Sequence, residues 1–392
     1  MKNKKVSVIT AVIIGILSGS LTFGGMAFAA TGKNIFVSDN SLSLKDYKEL
    51  SEFQSLLKDY YYKDLDNTDF ITGIKKGMTE SIGDPYTHYL TLEEYNKDLE
   101  IAQGSFVGVG VYIAPSDDGK IIVIAPVKNS PAEKAGIKSG DYIVSVNGKN
   151  FTAKTIQEAT SLMRGKKGET VTIGLLSAGK QKVVNVVRDD IMTQSVFSNM
   201  VKNKPIGLIS ISSFDEDTGK EFSEELDKLL KKNPKALIID LRSNPGGMVD
   251  QVIKVADRIL DKETIFFTNN KKGEKKVYTG KTDAKLSLPI AVLVNKNSAS
   301  ASEILSGALQ DNKKAIIIGE NTFGKGLVQS LFQIDEKGAI IITVAQYFTP
   351  NGNQVNKTGI KPDIEVKTEL NTDKKDAQLE KAIEVLSSKL EK

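Results

Sequence analysis

The chain has 392 residues, and 40% of them are hydrophobic, which suffices for two or three domains with packed cores. Its 53 Lys+Arg and 49 Asp+Glu residues are interspersed, so the composition gives no case for a nucleic-acid partner. The absence of cysteine excludes disulfides, thiolate metal sites and a cysteine nucleophile. The single histidine, His88, leaves a Ser/His/Asp triad only one candidate base.

The first thirty residues combine positive charge with an apolar run. K-N-K-K (2–5) precedes an uncharged stretch (6–30), an order that sends the rest of the chain across a membrane. A-F-A (27–29) fits a signal cleavage site, while a length of roughly 20 residues also suits a membrane anchor. Residues 1–30 therefore predict export, with a cleaved signal peptide and a retained anchor both open.

Residues 31–100 and 369–392 are predicted to be helical segments. In the first segment, apolar side chains recur at helical spacing, at Leu50, Phe53, Leu56 and Leu57. In the second, D-A-Q-L-E-K-A-I-E-V-L (376–386) is typical of a terminal helix. Both segments carry apolar faces that are suited to pairing subunits.

Residues 101–190 change to short β-type runs that are separated by turn residues, with two short helical stretches between them. The region resembles a PDZ domain in G-V-G-V (108–111), S-P-A-E-K-A-G-I-K-S-G-D-Y-I (130–143) and the V-N-G turn (146–148). The resemblance implies that an extended peptide C-terminus is added to a sheet edge.

The glycine loop of this region offers a site for a terminal carboxylate. The N–H groups of Val109, Gly110 and Val111 can point at one anion, and the glycines allow close approach of a chain end. The alternative is that Gly108 and Gly110 merely ease a bulged strand.

From residue 191 to about 368, predicted strands alternate with helices. Strands such as A-L-I-I-D-L-R (236–242) and I-A-V-L-V (290–294) are continuous apolar runs, as in sheets that are buried on both faces. This rhythm predicts an α/β domain.

The stretch N-S-A-S-A-S-E-I (297–304) follows one of these buried strands. Ser300 and Glu303 form a capping-box pattern, so Ser300 could simply open a helix. A helix N-terminus also stabilises negative charge and therefore suits a nucleophile. The local sequence leaves both interpretations open.

A lysine between two glycines is the next candidate. Lys325, in T-F-G-K-G-L-V-Q (322–329), follows an apolar strand, where burial would penalise its ammonium form and make the amine a general base. Gln329 lies four positions on and could orient the amine. The alternative is an ordinary lysine in a flexible turn.

A third candidate is R-S-N-P-G-G-M (242–248), which leads from a buried strand into a helix with exposed N–H groups. One N–H from Gly246 and one from Ala301 would make an oxyanion hole. Taken alone, the motif is equally a plain turn and cap.

Together these motifs closely resemble the carboxyl-terminal processing peptidases, also called tail-specific proteases. The resemblance covers nearly the whole exported chain and is carried by residues 240–247, 297–311, 319–329 and 347–352. It implies a multidomain α/β protein, in which a crotonase-like protease core (191–368) carries an inserted PDZ domain (101–190) between helical terminal segments.

The resemblance also implies roles for single residues. Ser300 matches the nucleophile, Lys325 the general base and Gln329 its supporting residue. Gly246 and Ala301 match the oxyanion donors. No metal or organic cofactor is implied.

The predicted function is that of an exported serine endopeptidase, membrane-anchored or secreted. Its PDZ domain would recognise the free C-termini of protein or peptide substrates, and a Ser/Lys dyad would cut them through an acyl-enzyme. A non-catalytic PDZ adaptor or scaffold is the alternative.

Two further expectations concern regulation and assembly. Arg164, at the end of the second PDZ helix, could link peptide binding to the protease core, a solvated surface charge being the alternative. The family resemblance implies a homodimer, and an activating partner is left open.

Overall fold

The computed structural model describes residues 42–66, 68–116, 118–127, 129–282, 286–335, 337–367 and 376–391. The predicted signal peptide or anchor (1–30) lies outside these residues. Within the described ranges, no helix combines the length and the apolar character that crossing a membrane requires.

The described residues contain nine α-helices. They are α1 (Leu44–Tyr60), α2 (Phe70–Glu80), α3 (Leu92–Ala102), α4 (Pro131–Lys134), α5 (Ile156–Met163), α6 (Thr218–Leu230), α7 (Val249–Asp257), α8 (Ala301–Asp311) and α9 (Ala377–Leu390). One 3-10 turn (Ala153–Thr155) precedes α5.

The strands of the described residues fall into two groups along the chain. The first group is β1 (His88–Thr91), β2 (Ser105–Gly108), β3 (Val111–Pro115), β4 (Ile121–Pro126), β5 (Tyr142–Val146), β6 (Lys149–Asn150), β7 (Thr170–Ser177), β8 (Lys180–Val187) and β9 (Asp189–Met192). The second is β10 (Val196–Met200), β11 (Ile206–Ile211), β12 (Ala236–Asp240), β13 (Thr264–Asn270), β14 (Lys275–Thr279), β15 (Ile290–Val294), β16 (Ala315–Gly319), β17 (Leu327–Asp335), β18 (Gly338–Phe348) and β19 (Ile364–Glu365).

An antiparallel sheet in the order β3-β4-β5-β7-β8 forms a separate unit, with β6 paired to β5. Its inward side chains, such as Ile121 and Ile173, pack with Met163 of α5 in one core. Strands β2 and β9 pair into a ribbon at the two ends of this unit. The N–H and hydroxyl of Thr193 both donate to the Gly104 carbonyl oxygen, at 2.8 and 2.7 Å, so the chain enters and leaves the unit at one point.

The larger unit is built on a mostly parallel sheet in the order β10-β11-β12-β15-β16-β19. Alternate side chains of its strands face opposite sides, and both sides are covered. Leu237 and Ile239 pack on one side against α6, α7 and α8, and Ile238 packs on the other side against α9. The mixed α/β class is therefore confirmed, whereas the crotonase-like topology and the domain boundaries stay predictions.

A second sheet, in the order β1-β18-β13-β14 with β17 on β18, lies beside the parallel one. Strand β1 comes from the region that was predicted to be helical, and it pairs antiparallel with β18, His88 opposite Ile341. Residues 31–100 are therefore not helical throughout. Their strand β1 completes the second sheet by pairing with β18, which follows more than two hundred residues later in the chain.

Helix α1 begins at a capping box, in which Ser43 accepts from the Asp46 N–H and the Asp46 carboxylate accepts from the Ser43 N–H. None of its residues is buried. Phe53 and Leu56 keep more than half of their side-chain surface exposed, at 62% and 56%. The helix thus presents its apolar face to the outside of a single chain.

Candidate active site

Three loops meet at one edge of the parallel sheet. Strands β12, β15 and β16 are parallel neighbours, and each is followed by a loop that carries predicted site residues. The carboxyl ends of parallel strands meet at the same sheet edge, where α/β proteins bind ligands. This topology brings together residues 242–248, 295–300 and 320–326.

Ser300 connects its loop to α8 in a strained conformation. Its φ is 61° and its ψ is −114°, a region that non-glycine residues rarely adopt, and the residue is only 1% exposed. Strain of this kind persists where the surroundings over-determine the backbone, as they do at many active sites.

The two neighbouring serines hold the loop in place. Ser298 Oγ donates to the Leu241 carbonyl oxygen at 2.8 Å and accepts from the Asn295 N–H at 2.9 Å. Ser302 Oγ donates to the Asn244 carbonyl oxygen at 3.0 Å. Ser302 therefore ties the serine loop to the 242–248 loop, and Ser298 ties it to Leu241, directly before that loop.

Glu303 joins the serine loop to the lysine loop. Its Oε2 accepts from the Ser300 N–H at 2.8 Å and from the Lys325 N–H at 2.9 Å. Its Oε1 accepts from the Thr322 hydroxyl at 2.5 Å and from the Gly324 N–H at 2.7 Å. Burial raises the pKa of Glu303, and these four hydrogen bonds act in the opposite direction.

The Lys325 side chain is buried at this site. The residue is 2% exposed, and its Nζ has no hydrogen-bond partner among the described residues. Burial lowers the pKa of Lys325 to about 7, although the charges of Asp84 and Glu303 act to raise it. The amine is thus partly neutral near neutral pH, as a general base must be.

Gln329 lies on β17 and is fully buried. Its Nε2 donates to the Thr343 hydroxyl oxygen at 3.1 Å. Because Lys325 Nζ has no hydrogen-bond partner in the described part of the chain, the predicted contact between Gln329 and the amine is not made in this conformation.

The predicted oxyanion donors lie side by side. A Cβ on Gly246 would stand 2.6 Å from Ser300 Cβ and 3.0 Å from the Ala301 nitrogen, so only glycine permits this approach. The Gly246 N–H, however, donates to Asn244 Oδ1 at 2.8 Å. In this conformation the Asn244 side chain therefore occupies one of the two predicted donors, and the oxyanion hole of Gly246 and Ala301 stays a prediction.

The predicted peptide-binding residues line a cleft in the antiparallel unit. Val109, Gly110 and Val111 line this cleft together with Thr160 and Met163 of α5. Gly110 has a φ of 77°, and a Cβ there would lie 2.5 Å from Ser130 Cβ. The loop is therefore compact and depends on that glycine.

Arg164 lies between this cleft and the edge of the parallel sheet where residues 242–248, 295–300 and 320–326 meet, which we call the catalytic edge. Its guanidinium stacks on the Phe106 ring at 4.8 Å. Both residues line the peptide cleft and also a second cleft, which reaches Pro245 next to Gly246.

Asp84 and Tyr86 also lie at this site, although no sequence pattern had indicated them. The Tyr86 ring centroid is 4.5 Å from Lys325 Nζ, and the charge of Asp84 acts on the same amine. The two residues belong to the sequence D-P-Y (84–86) between α2 and β1, and no local pattern connects this motif to residue 325.

Comparison with known proteins identifies the class that this fold and site define. The model of Peptidase family S41 matches residues 205–366, and that of the PDZ domain matches residues 122–176. The chain is 38% identical to carboxy-terminal processing protease CtpA of Bacillus subtilis (strain 168) over 91% of its own length and 76% of that protein. It is 33% identical to CtpB of the same organism over 90% of the chain and 77% of that protein.

A solved structure shows the same arrangement. The photosystem II D1 C-terminal processing protease superposes with a TM-score of 0.50 at 26% identity, over 87% of this chain and 92% of the other. The chain belongs to peptidase family S41 and carries a PDZ domain. Within that family it is a serine-type carboxy-terminal processing peptidase, which removes the support for a non-catalytic adaptor.

Proposed function

We propose that the protein is an exported endopeptidase that uses Ser300 as nucleophile and Lys325 as general base. The buried Lys325 amine, with a pKa of about 7, carries this proposal. A neutral amine can take the serine proton near neutral pH, which an exposed lysine cannot do. The Glu303 oxygen that both backbones share keeps the two residues together.

The reaction proceeds through an acyl-enzyme. Lys325 Nζ takes the Ser300 Oγ proton while Oγ bonds to the scissile carbonyl carbon. The resulting ammonium gives that proton to the leaving amine as the C–N bond breaks. Water, deprotonated by the same Nζ, then attacks the ester, and the proton returns to Ser300 Oγ as the new carboxyl terminus leaves.

The oxyanion of each tetrahedral intermediate needs N–H donors at the catalytic edge. We assign the Ala301 N–H, at the start of α8, and the Gly246 N–H. The second donor becomes available when its hydrogen bond to Asn244 Oδ1 breaks. Substrate binding would thus complete the oxyanion hole.

Gln329 is assigned a supporting role for the base. Its Nε2 is fixed by Thr343. The fixed amide orients the base when the substrate enters and Lys325 shifts toward it.

The PDZ domain is proposed to recognise the free C-terminus of a substrate. The Val109–Val111 loop supplies N–H groups for the carboxylate, and the adjoining cleft takes the last side chain. Arg164 transmits occupancy of the cleft to the 242–248 loop, since it lines both clefts. An amidated peptide should bind far more weakly than the same peptide with a free carboxylate.

The proposal extends to location and assembly. Residues 1–30 direct the chain across the cytoplasmic membrane, and the protein is either anchored there or secreted. The exposed apolar face of α1 would pair two copies into a homodimer. An activating partner enters the proposal only if the purified protein alone fails to cleave.

A digest of an unfolded protein with an apolar free C-terminus tests the dyad. Wild type, Ser300→Ala and Lys325→Ala are compared by mass spectrometry of the products, with circular dichroism to confirm that each is folded. We expect new C-termini with wild type alone. Equal cleavage by folded Lys325→Ala would contradict the assignment of the base.

A further inference from the structure

The loop between α2 and β1 lies against the catalytic base, although it precedes the PDZ domain in the chain. The pairing of β1 with β18 fixes this loop, and the Thr343 N–H of β18 donates to Thr87 Oγ1 at 3.0 Å. The loop is thus hydrogen-bonded to Thr343, the same residue of β18 whose hydroxyl oxygen accepts from Gln329.

Tyr86 covers the Lys325 amine. The centroid of its half-buried ring lies 4.5 Å from Nζ, and no described residue makes a hydrogen bond to that Nζ. An aromatic face attracts the ammonium form and also keeps water from the amine. The low pKa of Lys325 comes from burial, so the cover over the amine should help to set it.

A chain of hydrogen bonds links Asp84 to Gln329, the residue proposed to support the base. The Asp84 carboxylate accepts from the Thr87 hydroxyl at 2.6 Å and from the Tyr86 N–H at 3.1 Å. It is also hydrogen-bonded to the Thr343 side chain, whose hydroxyl oxygen accepts from Gln329 Nε2. Burial would raise the pKa of Asp84, but these hydrogen bonds and the charge of Lys325 lower it, so the group is ionised at neutral pH.

The other polar groups that face Lys325 are already engaged. Glu303 accepts four hydrogen bonds from backbone and hydroxyl donors. The Tyr347 hydroxyl donates to the Lys325 carbonyl oxygen at 2.7 Å. Of the charged groups acting on the amine, Asp84 is the one that the N-terminal region supplies.

We propose that Asp84 and Tyr86 are positioning residues for the general base. Asp84 stabilises the ammonium that forms when Ser300 loses its proton, and Tyr86 keeps the resting amine dry and neutral. This inference rests on the proposed Ser/Lys function. The protease core is then incomplete without residues 84–87.

The two residues predict opposite effects on the pH dependence of cleavage. Asp84→Asn removes a charge that raises the pKa of Lys325. The acid limb of the curve of kcat/KM against pH should therefore move to lower pH, by about one unit. The maximal rate should fall about ten-fold, since the ammonium loses its counter-charge. Opening the site in Tyr86→Ala lets water reach the amine, so its acid limb should move up.

The test measures kcat/KM from about pH 5 to pH 9 on the full exported chain. Tyr86→Phe keeps the ring and should rescue the position of the limb. Asp69→Asn is the matched control, because Asp69 is an exposed helix cap that bonds to Thr72. If Asp84→Asn fails to fold, Asp84→Ser removes the same charge with a smaller side chain and should move the limb in the same direction.

Opposite shifts support the proposal, since a general loss of stability cannot move the limb both ways. The Asp84 and Tyr86 variants could instead be slower without any shift of the acid limb, while Lys325→Ala stays inactive. Residues 84–87 would then have only a structural role, and the assignment of the Ser/Lys dyad would stand. Activity in folded Lys325→Ala would overturn the dyad, and this inference with it.

Discussion

Ser300 and Lys325 donate their backbone N–H groups to one and the same oxygen atom, Oε2 of Glu303. The backbones of the proposed nucleophile and the proposed base are therefore held by one buried carboxylate, and no hydrogen bond joins their two side chains in this conformation. This leaves the Lys325 amine free to move toward its substrate while its backbone stays fixed.

Glu303→Gln is expected to lose both stability and activity. The carboxamide replaces one acceptor oxygen by an NH₂ group, which would face donors such as the Ser300 N–H. Losing hydrogen bonds to a buried charge should cost about 2–4 kcal/mol and lower kcat/KM by at least about 100-fold. Urea unfolding and peptide cleavage measure the two effects.

Glu225→Gln serves as the matched control for this variant. Glu225 also accepts from a serine, Ser198, but it lies on α6 away from the catalytic edge. Full activity in Glu303→Gln would contradict the role of Glu303 as the link between the two loops.

Lys325→Met should abolish cleavage and stabilise the fold. The folded pKa of about 7 is below the usual value, so between pH 7 and about 10 the unfolded chain binds more protons. The stability of wild type therefore rises with pH in this window. The gain from the substitution should be greatest at pH 7 and below, on the order of 2–4 kcal/mol, and shrink toward pH 10.

Thermal and urea unfolding of wild type and Lys325→Met at a series of pH values measure this gain. A gain that does not depend on pH would show that Lys325 binds as many protons in the folded chain as in the unfolded chain across this window. Such a result would mean that the folded pKa is not lowered, and it would contradict the base assignment.

Gly246→Ala should inactivate the enzyme with little loss of secondary structure. The added Cβ would meet Ser300 Cβ at 2.6 Å and the Ala299 carbonyl oxygen at 2.8 Å, which displaces the strained serine loop. Gly273→Ala is the matched control, because Gly273 also has a positive φ, 76°, but has nothing within 4 Å of its added Cβ. It should lose only about 1 kcal/mol and retain cleavage. Equal activity of the two variants would remove the steric argument.

Arg164→Ala is expected to uncouple peptide binding from cleavage. Without the guanidinium on Phe106, occupancy of the PDZ cleft should no longer reach the 242–248 loop. The rate with a free C-terminal peptide divided by the rate without it should fall toward one. The control variant Lys166→Ala, at an exposed neighbouring position, should keep the wild-type ratio. An unchanged ratio in Arg164→Ala would show that Arg164 is an ordinary solvated surface charge without a role in coupling.

Phe53→Glu should convert a dimer to a monomer. The substitution places a charge in the exposed apolar face of α1, where no residue is buried within the single chain. Light scattering of the exported chain gives the mass directly. Ser55→Glu adds the same charge to an exposed polar position of the helix, and a monomeric wild type would end the proposal of a homodimer.

The sequence was most informative where function and local chemistry coincide. The sequence indicated that residues 242–248, Ser300 and Lys325 each follow a predicted apolar strand. In the structure these strands are parallel neighbours, which brings the three loops to one sheet edge. This follows because all carboxyl ends of parallel strands face the same way.

Contacts over long sequence separations could not be predicted in this way. Asp84 reaches the base only because β1 pairs with β18, some 250 residues later, and nothing in the D-P-Y motif identifies that partner. The sequence also could not predict that the Asn244 side chain competes with a substrate for a backbone donor. Asn244 Oδ1 accepts from the Gly246 N–H, which the motif alone suggested was free. Glu303 was identified as a helix-capping residue, yet its carboxylate also accepts from Thr322, Gly324 and Lys325.

The hydrogen bonds between Gly104 and Thr193 close the PDZ unit at its base, as in an inserted domain that can be exchanged as a whole. The two ends of the unit are joined, since the Thr193 N–H and hydroxyl both donate to the Gly104 carbonyl oxygen. The distance between the two connections to the larger unit is therefore set by this pair of residues and not by the residues of the PDZ unit between them. A different recognition module could be exchanged at this junction while β1 and the Asp84 loop keep their places on the core. Evolution, or a protein engineer, could thus change the proposed recognition of substrate C-termini without altering the loops at the edge of the parallel sheet.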